Sequence, residues 1–541
     1  MARYFLTTAI DYPNGPPHIG HSLEKIAADV VARYHRLRGD ETFFCMGLDE
    51  NSQNVITAAE ANGVSAGEWI DRMDEAFRLA WREVQCSYDR WIRTTEPVHF
   101  RASQELFRRA QAAGDIYKGS YSGYYCPNCN TFYSAEELTP QGTCPNHPTT
   151  TPDWLEEENY FFALSRYTEP LLRHVEAHPG FIVPATWRGE ILNLLRSGLR
   201  DFSVSRPVRS QRLVEGRPWG VPVPGDPEHV IYVWFDALTN YLTAAGFPDE
   251  PERFERTWPA DAHVIGKDIT RFHCLYWPAM LLSAGLPLPR SVAVHGFMTL
   301  DGQRISKTTG NIVDPVQVAQ QYGADALRFY LMRDISFERD GDFTQANLIQ
   351  RYNSDLANDL GNLLNRTVSM IGRYFEGVVQ GPPAEGMVQG PPAEGVAGGD
   401  ERDAQLRRVA EEAGALTAAG IERWDFDGAL DGTWSLVRRA NQYIDENEPW
   451  KLARDPQQRG RLGGVLYGAA ESLRLLGLYL APVIPTAAAR MREQLGLPAL
   501  APGAWHLQRG EARWGGLPPG TRVQRAQPIF PRIEVGSDAT P

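Results

Sequence analysis

The stretch NGPPHIGHS at residues 14–22 sets His18 and His21 three positions apart around Gly20, where a Pro/Gly turn hands over to a helical pattern. A helix N-terminus presents unpaired N–H groups and the positive end of its dipole, so it is a ready site for an anion. Two imidazoles on one face of that first turn could stabilise negative charge that grows on phosphorus during substitution. Gly20 leaves room for a ligand to approach the backbone. A second polar stretch, DGQRISKTTGN at 301–311, carries Lys307 in a Gly-bounded loop. A compact ammonium on such a loop could close over a triphosphate and follow charge onto departing pyrophosphate. Alone, an HxxH pair reads equally as helix caps, and RISKT as a solvated loop; together they favour phosphate chemistry.

A third group has the spacing of metal ligands. CPNC at 126–129 and CPNH at 144–147 bring Cys126, Cys129, Cys144 and His147 as two pairs with two-residue gaps. Each short gap lets one turn offer both ligands to a single tetrahedral ion, as in a zinc knuckle. A filled Cys₃His shell makes the expected Zn²⁺ structural, a brace for its segment and not a substrate site.

These side chains need elements to hold them. RYFLTTAI reads as a strand, and the residues after the histidine turn place Leu23, Ile26, Val30 and Leu37 at helical spacing. Strand and helix signals alternate through ETFFCMGLDE, which suggests a parallel α/β sheet. From about 115 the composition turns to Cys, Pro and Tyr and then to an Arg-rich run. Sheet-type segments return with HVIYVWFDALTNY, AHVIGKD and SVAVHGFMTL. The spacing therefore predicts one α/β domain split by an insertion: first half 1–114, insertion 115–230, second half 231–297, a region carrying the signature loop at 298–350, and an all-α domain over 351–541. Within the last, VQGPPAEGMVQGPPAEG repeats with a nine-residue period and reads as a surface linker near 377–399, since two copies cannot stack a core. The last forty residues, rich in Pro and Arg, read as partly disordered.

With 541 residues, 43% of them hydrophobic and 22% charged, the chain is expected to form three or four domains. It shows neither a secretory leader nor a membrane-length apolar run, so a soluble cytoplasmic protein is expected. A net charge of −13 argues against indiscriminate nucleic-acid binding but leaves room for a local basic face. Only five lysines occur, Lys25, Lys118, Lys267, Lys307 and Lys451, and each is a candidate for work that Arg does poorly.

HIGH at 18–21 matches the first signature of class I aminoacyl-tRNA synthetases, and RISKT at 304–308 is similar to their KMSKS loop. AIDYPNG, YVWFDALTNY, IGKDITRFH and NEPWK make the chain resemble the methionyl-tRNA synthetase family over nearly its whole length. That resemblance implies a split Rossmann-like catalytic domain with a zinc-knuckle insertion, followed by an all-α helical-bundle anticodon-binding domain. It implies activation of L-methionine by Mg²⁺·ATP and transfer of the methionyl group to the terminal adenosine of tRNA(Met), with initiator and elongator tRNAs as partners. His18, His21 and Lys307 would be catalytic, with Gly20, Arg304 and Ser306 joining them around ATP. Ile10, Tyr12, Trp234, Ala237, Tyr241, Phe272 and His273 would line the methionine pocket, and Asp49 would meet the ammonium. Asn362, Arg366, Pro449 and Trp450 would read the anticodon, and the Arg-rich run from Arg188 to Arg217 could touch the acceptor end.

Two departures stand out. Arg304 replaces the usual Lys of the loop, and LDENSQN carries Asn51 and Ser52 where the family's DEHG has His and Gly. Asn can hydrogen-bond at that point but carries no charge. The short tail leaves no room for an appended dimerising domain, so a monomer is expected. Another class I synthetase, a nucleotidyltransferase with a similar histidine turn and a catalytically inactive tRNA-binding paralogue remain open alternatives at this stage.

Overall fold

The computed structural model describes residues 2–126, 131–305, 312–381, 400–506, 510–525 and 527–534. Its centre is a six-stranded, wholly parallel sheet. In chain order the first strands and helix are β1 (Arg3–Thr8), α1 (Ile19–Arg38), β2 (Glu41–Leu48) and β3 (Arg90–Arg93). The insertion contributes β4 (Ile116–Cys126), β5 (Asp153–Phe162) and β6 (Ile182–Val183). Then come α2 (Val233–Ala245), β7 (Ala262–Gly266) and β8 (Val292–His295). The spatial order is β3-β2-β1-β7-β8-β6, with Leu6 opposite Phe44 on one side and Ala262 on the other. Buried over most of their length, β1, β7 and β8 carry apolar residues at successive positions (Phe5 and Leu6, Val264 and Ile265, Val292 to Val294), as parallel strands covered on both faces do. The order reverses between β1 and β7, and in such sheets ligands bind beyond the carboxyl ends of the strands at that reversal. The histidine turn lies there.

Two expectations change. HVIYVWFDALTNY is mostly helix: only His229–Ile231 continue a strand, and α2 takes over from Val233. Every residue of α2 except Trp234 is buried, so its apolar face runs all round and periodicity cannot separate it from a core strand. Nor does 115–230 stand wholly apart from the catalytic sheet. β4 and β5 form a long antiparallel hairpin, Tyr117 opposite Phe161, but β6 returns to the main sheet and pairs with β8. Two residues are too short for a strand signal.

Beyond β8, short strands β9 (Met298–Leu300), β10 (Gln303–Arg304) and β11 (Gly341–Phe343) and helix α3 (Ala324–Asp334) lead into the helical part. That part holds α4 (Asn362–Phe375), α5 (Glu401–Glu422), α6 (Phe426–Asn447), α7 (Pro449–Leu452), α8 (Arg459–Tyr479) and α9 (Pro485–Gln494). Helix α8 is buried from Leu462 to Tyr479, as a central helix must be. Arg328 of α3, fully buried, pairs with Asp29 of α1 at 2.7 Å and donates to the carbonyls of Val84, Pro482 and Val483, which ties the sheet domain to the bundle.

Described parts of the tail, up to residue 534, are anchored to the bundle. Trp505 and Leu517 are buried, and the buried Glu471 carboxylate accepts from the N–H groups of Gly515, Gly516 and Leu517. Residues 377–381, placed in the linker by their composition, pair with this tail through Val379 N–H to Thr521 O and Val523 N–H to Gly377 O. The remainder of the repeat, 382–399, lies outside the described residues.

Candidate functional site

The histidine turn is built as a helix cap. His18 is the N-cap of α1 and its Nδ1 accepts from Gly20 N–H at 3.2 Å, while His21 Nδ1 accepts from His18 N–H at 3.2 Å. His18, accepting at Nδ1, carries its proton on Nε2, across the ring from the backbone, while His21 Nδ1 also lies 3.3 Å from His18 O, which can only accept. The two rings face each other with centroids 3.9 Å apart. Gly20 is needed for this closeness: a Cβ there would lie 3.0 Å from His18 Nδ1 and Cε1. The cap and the anion-binding readings of HIGH are thus not rivals, since capping with Nδ1 fixes the His18 Nε2–H as an outward donor at a positive helix end.

The signature loop meets this turn at both of its described ends. Ile305 Cδ1 would be 3.3 Å from a Cβ on Gly20, and Ile19 N–H donates to Val313 O at 2.8 Å. The Arg304 side chain, Ser306 and Lys307 lie outside the described residues. The other four lysines are all ion-paired: Lys25 with Glu24 and Asp11, Lys118 with Asp226, Lys267 with Asp340 and Lys451 with Glu448.

Sequence reasoning missed one cluster beside the turn. Glu24 of α1 is held between Lys25 Nζ at 2.6 Å and His295 Nε2 at 3.2 Å, at the carboxyl end of β8. Lys25 also donates to Ala9 O at 2.6 Å just past β1. Burial pushes the Asp11 carboxyl up to about 6, against the pull of Lys25. Leu23, Ile26 and Ala27 mark the apolar stripe of α1 while Glu24 and Lys25 fall outside it, so nothing in the spacing announces that both charges are buried.

The predicted methionine-pocket residues converge from four elements. Ile10 and Tyr12 follow β1, Asp49 follows β2, and Trp234, Ala237 and Tyr241 share one face of α2 at helical spacing. Phe272 and His273 sit on a π-helical turn, Phe272–Tyr276. Trp234 stacks on Phe272 with centroids 3.9 Å apart. His273 Nδ1 donates to Ile269 O at 3.1 Å, so its Nε2 accepts from Tyr241 O–H at 2.7 Å. Burial lowers His273 to about 4, which leaves a neutral, polarisable wall at pH 7. Asp49 is 2% exposed and its Oδ1 has no hydrogen-bond partner. Burial first, and then the Asp236 and Glu50 carboxylates, push Asp49 well above the usual carboxylate range. A buried carboxylate with one oxygen unpartnered among the described residues, beside an aromatic slot, suits a cation joined to an apolar chain.

Cys126 Sγ and Cys144 Sγ lie 3.9 and 3.7 Å from His147 Nδ1. A tetrahedral Zn²⁺ with ordinary bond lengths separates sulfur from nitrogen by about 3.6 Å. Both cysteines are buried, neither is in a disulfide, and Cys129 lies outside the described residues. The residues present therefore fit the ion.

In the bundle, Arg366 of α4 pairs with Asp445 near the end of α6 at 2.6 Å. That places Asn362 and Arg366 near the same end of the bundle as α7, which begins directly after α6 and carries Pro449 and Trp450. Trp450 is 38% exposed and so is not a core residue, whereas Pro449 is buried. No described helix is long and apolar enough to cross a membrane.

Comparison with known proteins agrees with this geometry. The family model described as tRNA synthetases class I (M) matches residues 4–151 and 147–368. The chain is 43% identical over 534 residues to a methionine–tRNA ligase of Caldanaerobacter subterraneus, spanning 98% of this chain and 79% of the relative. It is 42% identical to that of Brucella suis, spanning 98% of both. Among solved structures, Mycobacterium tuberculosis methionyl-tRNA synthetase in complex with methionyl-adenylate superposes with a TM-score of 0.89 at 40% identity, covering 98% of this chain and all of that one.

Proposed function

The chain belongs to the class I tRNA synthetases, in the methionine–tRNA ligase family, and from that premise we propose that it activates L-methionine with ATP and esterifies tRNA(Met). In the first step a methionine carboxylate oxygen attacks the α-phosphorus of ATP, the bond to the bridging oxygen breaks, and its electron pair leaves with pyrophosphate. In the second, a hydroxyl of the terminal adenosine attacks the methionyl carbonyl and AMP departs.

The observation that carries the reading is the buried Asp49 carboxylate at the carboxyl end of β2, at the same end of the sheet as the histidine turn that follows the neighbouring parallel strand β1. Asp49 receives the α-ammonium, and Trp234, Ala237, Tyr241, Phe272 and His273 receive the thioether chain, with Ile10 and Tyr12 closing the near side. Holding both ends of the amino acid directs its carboxylate toward the N-terminus of α1. His18, from Nε2, and His21 donate to the phosphates, and Lys307, two residues along the chain from Ile305, meets the negative charge that builds on pyrophosphate. Gly20, Arg304 and Ser306 complete the ATP contacts, and Mg²⁺ accompanies ATP as part of the substrate.

Cys126, Cys144 and His147, with Cys129, would hold a Zn²⁺ at the end of the β4–β5 hairpin, where it would supply folding energy and not chemistry. Trp450 offers a partly exposed plane for an unstacked anticodon base, and Asn362 and Arg366 offer hydrogen bonds to its edge. The test is charging of a tRNA transcript bearing the CAU anticodon with labelled methionine. Esterification that disappears when the anticodon is changed supports the whole assignment; charging indifferent to the anticodon removes the role given to the bundle.

A further inference from the structure

Asp49 is connected to the methionine side-chain pocket by a polar strap that none of the roles above uses. Two residues after Asp49, Asn51 spends both amide hydrogens: Nδ2 donates to Asp236 Oδ2 at 2.7 Å and to Thr94 O at 3.0 Å. Asp236 lies on α2 between Trp234 and Ala237 and is fully buried. Its Oδ1 is held by Ser103 Oγ at 2.7 Å and His99 Nε2 at 2.9 Å, and His99 Nδ1 bonds Thr243 Oγ1 at 3.0 Å, also on α2. So the loop that presents the ammonium carboxylate is tied to the helix that presents the side-chain pocket by one carboxylate–amide bond. That carboxylate is anchored from behind by two further donors.

We propose that Asp236, acting through Asn51, is the positioning residue that sets where Asp49 stands relative to α2 and holds a second buried negative charge behind it, so that the site selects a ligand bringing its own positive charge. The inference rests on the reading of Asp49 as the ammonium site. A buried carboxylate with another behind it gains more from a cation than an isolated one does, because the arriving ammonium relieves both burial and like-charge repulsion. The other ionisable groups facing Asp49 are Glu50, itself bonded to Arg93 and Thr95, Tyr12 on the turn after β1, and Tyr241 on α2. Among the described residues Glu50 is paired with Arg93 at 2.7 Å, whereas Asp236 meets hydroxyl, amide and imidazole donors, so Asp236 is the carboxylate behind Asp49 with no arginine or lysine against it. The amide at position 51 leaves that charge in place, since the Asn51 side chain donates to Asp236 and to Thr94 O without bringing a positive charge. Methionine then competes with a proton for Asp49, and its binding releases that proton.

The experiment is the pH dependence of kcat/KM for methionine in pyrophosphate exchange, with calorimetric proton counting on methionine binding, for the parent protein and for Asp236→Asn and Asn51→His. Both substitutions make the field behind Asp49 less negative. Each is expected to move the acid limb to lower pH by about one unit, a tenfold gain in kcat/KM on that limb relative to its own plateau, and to reduce the protons released. KM for methionine should rise while saturated kcat changes less. An acid limb that stays in place in a variant that folds and binds ATP overturns the coupling, and so does a loss confined to kcat. If Asp236→Asn does not fold, Asn51→His gives the same readout without touching Asp236. Failure of the underlying reading is recognised separately: Asp49→Asn would then bind methionine as tightly as the parent.

Discussion

Replacing Gly20 with alanine separates the two roles of the histidine turn. The added Cβ would stand 3.0 Å from His18 Nδ1 and Cε1 and 3.3 Å from Ile305 Cδ1. Carbon contacts are most favourable near about 3.5–4.0 Å, so the imidazole has to swing away by several tenths of an ångström or more. That movement breaks the 3.2 Å bond from Gly20 N–H to His18 Nδ1. Loss of an N-cap bond costs about 0.5–2 kcal/mol, and Ala in place of Gly in a helical turn returns about 0.5–1 kcal/mol. Fold stability should therefore fall by no more than about 1.5 kcal/mol. The effect on chemistry is larger, because removing one oriented donor from a developing oxyanion costs about 10²–10³ in kcat, and a displaced ring retains part of that. Pyrophosphate exchange at saturating methionine should fall about 10–100-fold, with the melting temperature shifted by only a few degrees. Methionine affinity, read from the fluorescence of the Trp234 region, should hold. Exchange within twofold of the parent would refute the claim that His18 is oriented by its cap for phosphate contact.

Lys307→Ala should slow adenylate formation in single-turnover assays far more than it weakens methionine binding; equal losses in both would deny it a transition-state role. Trp450→Ala should leave exchange intact and impair tRNA charging, and loss of both would show that the partly exposed ring is structural after all. Metal analysis should find one zinc per chain, and Cys144→Ser should lower that content and loosen the hairpin to proteolysis, whereas full metal content in the variant would exclude the site. Acid stability should carry the mark of His273. Its folded value of about 4 lies below the usual 6.5, so its contribution is fully present above pH 6.5 and is lost as pH falls toward 4, by on the order of 3 kcal/mol. His273→Gln should flatten that part of the stability profile measured by denaturant unfolding, and an unchanged slope would mean the ring is not held neutral by burial.

Local chemistry was legible in the sequence and long-range pairing was not. His18, Gly20 and His21 sit within four residues, so their capping geometry follows from backbone rules that spacing exposes. The Cys and His pairs of the knuckle are legible for the same reason. By contrast, Asn51 meets Asp236 across 185 positions and Glu24 meets His295 across 271, and nothing in either neighbourhood announces the partner. The strand-like reading of α2 failed because a helix buried on all sides loses the polar stripe that marks its period. Pro and Arg dominate the tail and give no sign of its anchor, a carboxylate on a distant helix, Glu471, which accepts from the N–H groups of Gly515, Gly516 and Leu517.

The central claim is that the Asp49 pocket and the histidine turn together activate methionine. Amino-acid-dependent exchange of labelled pyrophosphate into ATP, run without tRNA and with each of the twenty amino acids in turn, tests it most directly. The account predicts exchange with methionine alone; exchange driven by a different amino acid, or by none, would contradict it.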